Sequence, residues 1–220
     1  MLRPYLFQVF VDEKGSFGNP GSLVIDERHR LNEKRRSELT GEIGHEETVF
    51  LDDIEKNKLS IYHSLGRINF AGSVLVGVAW QLSLIKKAPV ETLQCDAGEI
   101  QVWQEGEVSW LRASLNNNLG DWNYQQLGSP DEVNAINVAD TKDWKKMVWA
   151  WENEEKGLIR ARTFASKINI PEVRGNGSGA MNLAGQLQRY LQITHGDGSV
   201  IFASPAPDNC AELGGRVIPI

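Results

Sequence analysis

The chain has 220 residues, 41% of them hydrophobic, which suits a soluble globular protein of one large domain or two small ones. Its formal net charge of -6 argues against a nucleic-acid partner, and Lys34-Arg35-Arg36 sits between Glu33 and Glu38 in a helical pattern, as a solvated face does. The longest apolar stretch, Val74 to Ile85, is broken by Gly77, Gln81 and Ser83 and is too short for a membrane span, while Pro4 and Gln8 spoil a signal-peptide layout.

In chain order, Tyr5 to Val11 alternates with apolar residues on both sides, which predicts a strand buried on part of both faces. A Gly/Pro-rich loop, Gly15 to Gly21, leads to a short strand at Leu23 to Ile25. Leu31, Leu39 and Ile43 at helical spacing predict a helix ending on Gly44. Strand patterns follow at Thr48 to Leu51 and Leu59 to His63. The clearest element is a helix from Ser73 to Lys87, with Val74, Val78, Leu82 and Ile85 in one stripe and Pro89 closing it. Hairpin-like pieces come next, Glu99 to Gln104 and Val108 to Leu115, around a turn at Glu105-Gly106.

Asn116 to Pro130 is polar and rich in Asn, Gly and Pro, and reads as a linker or long loop. Beyond it Met147 to Trp151 and Leu158 to Phe164 predict paired strands. Gly175 to Gly179 opens a helix with Leu183, Leu187 and Leu191 at four-residue spacing, and Val200 to Ala203 and Arg216 to Ile220 end the chain as strands. Both halves follow one plan: strands, a Gly-Ser turn, a long helix, more strands. That plan favours two similar lobes, 1–115 and 116–220, with a cleft between them and the last strand free to pack back on the first lobe.

Gly72-Ser73 and Gly177-Ser178-Gly179 each sit where a helix begins. Free backbone N–H groups and the positive dipole end suit such turns to an anion, although serine there also serves as a plain helix cap. Glu47 follows a helix and opens a strand, so it can be a carboxylate at the mouth of a cleft; the bland reading is that Glu46-Glu47 is a pair of surface charges. Gly175 to Ala180 also fits the pattern GxGxxA, but Pro171 to Arg174 stands where a buried strand should lead in, so no dinucleotide is expected. The four histidines lack metal-ligand spacing, and no HExxH or CxxC is present, so neither metal nor cofactor is expected. Cys95 and Cys210 lie far apart, which suggests no disulfide framework and a cytoplasmic protein.

Taken in order, Gly18-Asn19-Pro20, Glu47-Thr48-Val49-Phe50, Phe70-Ala71-Gly72-Ser73, Glu172 to Ala180 and Gly214-Gly215-Arg216 resemble the PhzF-like isomerases of phenazine biosynthesis, across nearly the whole chain. The resemblance implies a diaminopimelate-epimerase-like fold: an α/β (α+β) protein of two lobes, each a mostly antiparallel, barrel-like sheet around a long central helix. It implies Glu47 as the proton-shuttling glutamate, with Asn19, Gly72, Ser73, Gly177, Ser178 and Gly179 binding a small-molecule carboxylate. It also implies a homodimer. Where the family has a histidine this chain has Ser73, and where it has an aspartate this chain has Val173. The related epimerases carry two cysteines at the glycine turns, where Ala71 and Asn176 stand here, so a one-base proton shift is expected in place of a two-thiol mechanism. Two functions remain open: a cofactor-independent isomerase, or an inactive relative that binds a small carboxylate or a protein partner.

Overall fold

A computed structural model describes residues 3–116 and 121–220. After a first strand, β1 (Tyr5–Val11), the chain passes twice through one sequence of elements. The first unit comprises β2 (Asn19–Ile25), α1 (Glu33–Ile43), β3 (Glu47–Asp53), β4 (Lys58–His63), β5 (Gly66–Ile68), α2 (Gly72–Lys86), β6 (Thr92–Cys95), β7 (Gly98–Glu105) and β8 (Val108–Ser114). The second comprises β9 (Asn123–Gln126), α3 (Pro130–Asn134), β10 (Lys146–Asn153), β11 (Leu158–Ala165), β12 (Ile170–Val173), α4 (Gly177–Leu187), β13 (Leu191–His195), β14 (Ser199–Ala206) and β15 (Cys210–Pro219).

Strand pairing repeats with the elements. In the first unit β2 is parallel to β3, β3 antiparallel to β4, β4 parallel to β6, and β6, β7 and β8 form an antiparallel run. In the second, β9, β10, β11, β13, β14 and β15 follow the same series of directions. Even the bulges match, one between Leu51 and Asp53 and the other between Trp151 and Asn153. The doubled plan seen in the sequence is thus a doubled pairing scheme. β15 is antiparallel to both β8 and β1, so the sheet is continuous across the two units.

Strands enclose α2 so fully that Leu75, Val76 and Ala79 are buried along with Val74, Val78 and Leu82. The single stripe expected from the sequence is therefore too narrow; a helix that is apolar nearly all round is a central one. Lys87 ends it in a left-handed conformation, and Lys86 reaches Ile54 O and Asn57 Oδ1 at 3.0 and 2.9 Å, tying the helix to the β3–β4 turn. The Phe7 ring fills a notch that Gly21 and Gly77 leave, and a Cβ at either glycine would overlap it. Gly77→Ala is therefore expected to destabilise the protein by about 2 kcal/mol in urea denaturation, net of the ~1 kcal/mol that alanine returns as a helix former. A compensating Phe7→Leu should recover part of the loss.

Two expectations need correction. The helix that opens at Gly177 ends at Leu187, because Gln188 turns left-handed (φ 51°), and Leu191 begins β13 with its side chain buried. A Leu at four-residue spacing was compatible with either state, and the cap decides. The polar stretch Asn116 to Pro130 is not all loop either: Asn123 to Gln126 forms β9, held by parallel pairing with β10 and mostly exposed, hence without an apolar alternation to reveal it. Within that stretch, residues 117–120 lie outside the described residues. Among the described residues no helix is long and apolar enough to cross a membrane.

Candidate active site

Strand alternation explains the Glu47-Thr48-Val49-Phe50 motif. Thr48 and Phe50 face α1: Thr48 Oγ1 shares a buried 2.8 Å hydrogen bond with Ser22 Oγ, and Phe50 packs edge-on against Tyr62. Val49 and Leu51 face the main core around α2. Glu47 shares their face at the end of the strand, so the packing that buries Val49 and Leu51 also aims its carboxylate inward, beside the start of α2.

It opens there into a cleft of about 330 Å³ between the two units. The first unit contributes Asn19, Glu46, Glu47 and the turn from Phe70 to Ser73. The second contributes Trp122, Lys145, Ile168, Ile170, Val173 and the turn from Gly175 to Ser178. The two glycine turns share one prop: a Cβ at Gly72 would meet Leu213 Cδ2 at 2.8 Å, and one at Gly177 would meet the same atom at 2.9 Å. Close approach to Leu213 is thus the reason for glycine at both helix starts, and it brings the N-termini of α2 and α4 together. A second support is Phe10, at the bulge of β1 with φ 68°, a strained conformation for a large residue that places its ring beneath Gly175 and Gly177.

Neither serine is the cap. At α2 the capping position is Ala71, which offers no side-chain acceptor, so the first-turn N–H groups are left to the cleft and Ser73 lines it with a hydroxyl that makes no hydrogen bond among the described residues. At α4 the cap is Asn176, whose Oδ1 accepts from Gly179 N–H at 2.8 Å and from Ser178 Oγ at 3.1 Å. Gly179 therefore faces its own cap and is not among the residues lining the cleft. Asn19 joins the units by donating to Gly175 O at 2.8 Å, and its Oδ1 is buried without a partner. The two glycines of the GxGxxA pattern, Gly175 and Gly177, are accounted for by their close approach to Asn19, Phe10 and Leu213.

Beneath the α4 turn lies a polar chain that sequence reading missed. Asn176 Nδ2 donates to Thr163 Oγ1 at 3.2 Å, Thr163 Oγ1 lies 2.8 Å from His195 Nε2, and His195 Nδ1 lies 3.0 Å from Arg174 O. A carbonyl can only accept, so Nδ1 carries the proton and Nε2 accepts from Thr163. His195 is fully buried, and dehydration holds its pKa down at about 4, so the ring is neutral. The Asn before a helix-opening Gly was a visible cap signal, whereas Thr163 and His195 come from other strands and carried none.

Glu47 keeps some exposed surface toward the cleft, yet its carboxyl is dehydrated enough that its pKa is pushed up to about 7, with the nearby Glu46 charge adding to the rise. No hydrogen-bond donor among the described residues holds it as an anion. His45 is partly buried, is not among the residues lining the cleft, and has its pKa lowered by dehydration. A larger cavity, about 490 Å³, lies between α1 and β4, but its main cations are spent: Arg36 pairs with Asp26 and Asp52, and Arg67 with Asp96.

No family model matches the chain. Among solved structures it superposes on a protein described as phenazine biosynthesis PhzC/PhzF from Clostridium difficile, with a TM-score of 0.80 at 17% identity over 100% of this chain and 97% of that one. A PhzF-family phenazine biosynthesis protein from Enterococcus faecalis gives 0.79 at 18% identity, with 100% and 97% covered. The chain has the PhzF fold. A hydroxyproline epimerase from Agrobacterium vitis, solved with bound trans-4-hydroxy-L-proline, is similar more distantly, with a TM-score of 0.56 at 12% identity over 100% and 90%. The two departures from the PhzF-like motif both fall in the cleft: Ser73 lies in the first turn of α2, and Val173 ends β12.

Proposed function

We propose that the protein is a cofactor-independent isomerase that moves a proton at carbon on a small carboxylate, with Glu47 as its single base. The observation that carries this reading is the Glu47 carboxyl with its pKa near 7, in the same cleft as two helix N-termini. A base poised near the working pH can both take a proton from carbon and return it to the neighbouring carbon. The uncapped N–H groups of α2 and the Gly177-Ser178 turn of α4 hold the substrate carboxylate, and their dipoles oppose the negative charge that develops when the proton leaves. By the matching bulges, Met147 stands in the second unit where Glu47 stands in the first, which favours one base over two.

A second reading, binding without turnover, is favoured by Ser73 and Val173, which stand where the PhzF-like motif has its other two ionisable groups. Deuterium uptake at carbon separates the two. The protein is incubated in D2O with small cyclic carboxylates, including dihydro-hydroxyanthranilate and trans-4-hydroxy-L-proline, and followed by proton NMR. Uptake by wild type that falls by about a thousandfold or more in Glu47→Gln supports the isomerase. Ligand line-broadening without uptake would leave only the binding protein.

A further inference from the structure

Within the isomerase reading, on which this inference rests, the cleft has a charge balance that the PhzF-like motif does not describe. Its acidic side chains, Glu46 and Glu47, both come from the first unit, and Lys145, just before β10, is the cation among the residues that line it. Lys145 immediately precedes β10, and its carbonyl accepts from Asn123 N–H at 3.2 Å. Its Nζ is 5.5 Å from the Trp122 ring centroid, and the Trp122 indole N–H donates to Ser178 Oγ at 3.1 Å. The ammonium is therefore held on the α4 side of the cleft, next to the turn that presents free N–H groups. It makes no ion pair with any described carboxylate. Beside it the wall formed by Ile168, Ile170 and Val173 is apolar.

We propose that Lys145 is the specificity-determining residue of this cleft: its ammonium pairs with the carboxylate of a substrate whose apolar body lies against Ile168, Ile170 and Val173. The substrate is then a carboxylate with an apolar body. A charged group placed against that wall would have no partner there, which is a costly arrangement. A lysine from the second unit and a glutamate base from the first, both lining the cleft, also fix which way round the substrate lies.

The test uses cyclohex-1-ene-carboxylate and its carboxamide as a matched pair of probes, with Kd measured by ligand-observed NMR. Wild type should bind the carboxylate more tightly than the amide, and added NaCl should narrow the difference. Lys145→Met, which keeps the stem and removes the charge, should weaken carboxylate binding by about tenfold and cut the preference to the part the helix N-termini supply, while Lys145→Arg retains it. Undiminished preference in Lys145→Met overturns the proposal. So does a wild type that shows no preference, or that fails to bind the carboxylate at millimolar concentration. The isomerase reading fails separately: Lys145-dependent binding with no deuterium uptake would sink it and leave this inference standing. Glu47-dependent uptake with an unchanged KM in Lys145→Met would do the reverse.

Discussion

Glu47→Gln is expected to make the folded protein more stable at pH 8, not less. The carboxyl has a pKa of about 7 when folded against 4.5 for the free side chain, because the cleft dehydrates it and Glu46 repels its charge. Below pH 4.5 it is protonated in both states and the stabilising preference for the native state is fully present. As pH rises through 7 that preference is lost, and the native state must hold a carboxylate that it solvates poorly. The interval is worth about 3 kcal/mol at full burial, and about 2 after allowing for the exposed edge of the side chain. Glutamine keeps the shape and cannot ionise. Urea denaturation should therefore show the variant about 2 kcal/mol more stable at pH 8 and nearly equal to wild type at pH 4.5. Equal stability at both would mean a well-hydrated carboxylate, and the proposed base would lose its physical rationale. If the same variant also loses deuterium uptake, the site trades stability for activity in one residue.

The second large effect has the opposite sign. His195 is held neutral with a pKa of about 4, against 6.5 for the free ring, by burial first, with the positive charges of Arg160 and Arg162 adding to the fall. In the unfolded chain the ring binds a proton as pH falls below 6.5, while the native state resists. The stability due to this group is complete above pH 6.5 and is lost progressively toward pH 4, amounting to about 3 kcal/mol. Between pH 4.5 and 6.5 the two groups oppose one another: Glu47 destabilises with rising pH and His195 stabilises. Their sum is close to flat in wild type, and each variant uncovers the other's slope. Glu47→Gln should show stability rising steeply from pH 4.5 to 6.5, and His195→Gln should show it falling. The comparison rests on slopes, so the packing loss that His195→Gln causes at every pH does not confuse it. A His195→Gln profile parallel to that of wild type would place the ring in contact with water.

The acid-sensitive group also underlies the site. Protonated His195 can no longer accept from Thr163, so the chain through Thr163 to Asn176 loses its final acceptor, and Asn176 is the residue that caps α4 and holds Ser178. Acid is thus expected to loosen the α4 turn before the α2 turn, whose start carries no side-chain cap to lose.

Much of this protein is legible in one dimension. A period-two pattern marked β1, an apolar run bounded by Gly-Ser and Pro marked α2, and local turn chemistry marked both helix starts, since each of these is set by residues close together in the chain. The Glu47 motif was readable for the same reason: alternation alone sends Glu47 and Val49 one way and Thr48 and Phe50 the other. Local pattern failed where a distant partner supplied the stabilisation, as β10 does for the polar strand β9, or where a single backbone torsion outweighed an apolar period, as at Gln188 before Leu191. The site shows the same division. Sequence by itself determined a carboxylate at a strand start and two glycine-opened helices, because those depend on nearest neighbours. Only the fold decides that Leu213 and Phe10 draw the two helix starts together, that Lys145 and Trp122 line the same cleft as Glu47, and that His195 stays neutral beneath the α4 turn. Dehydration and through-space charge set these outcomes, and both depend on what the fold packs around a group, which no run of adjacent residues specifies.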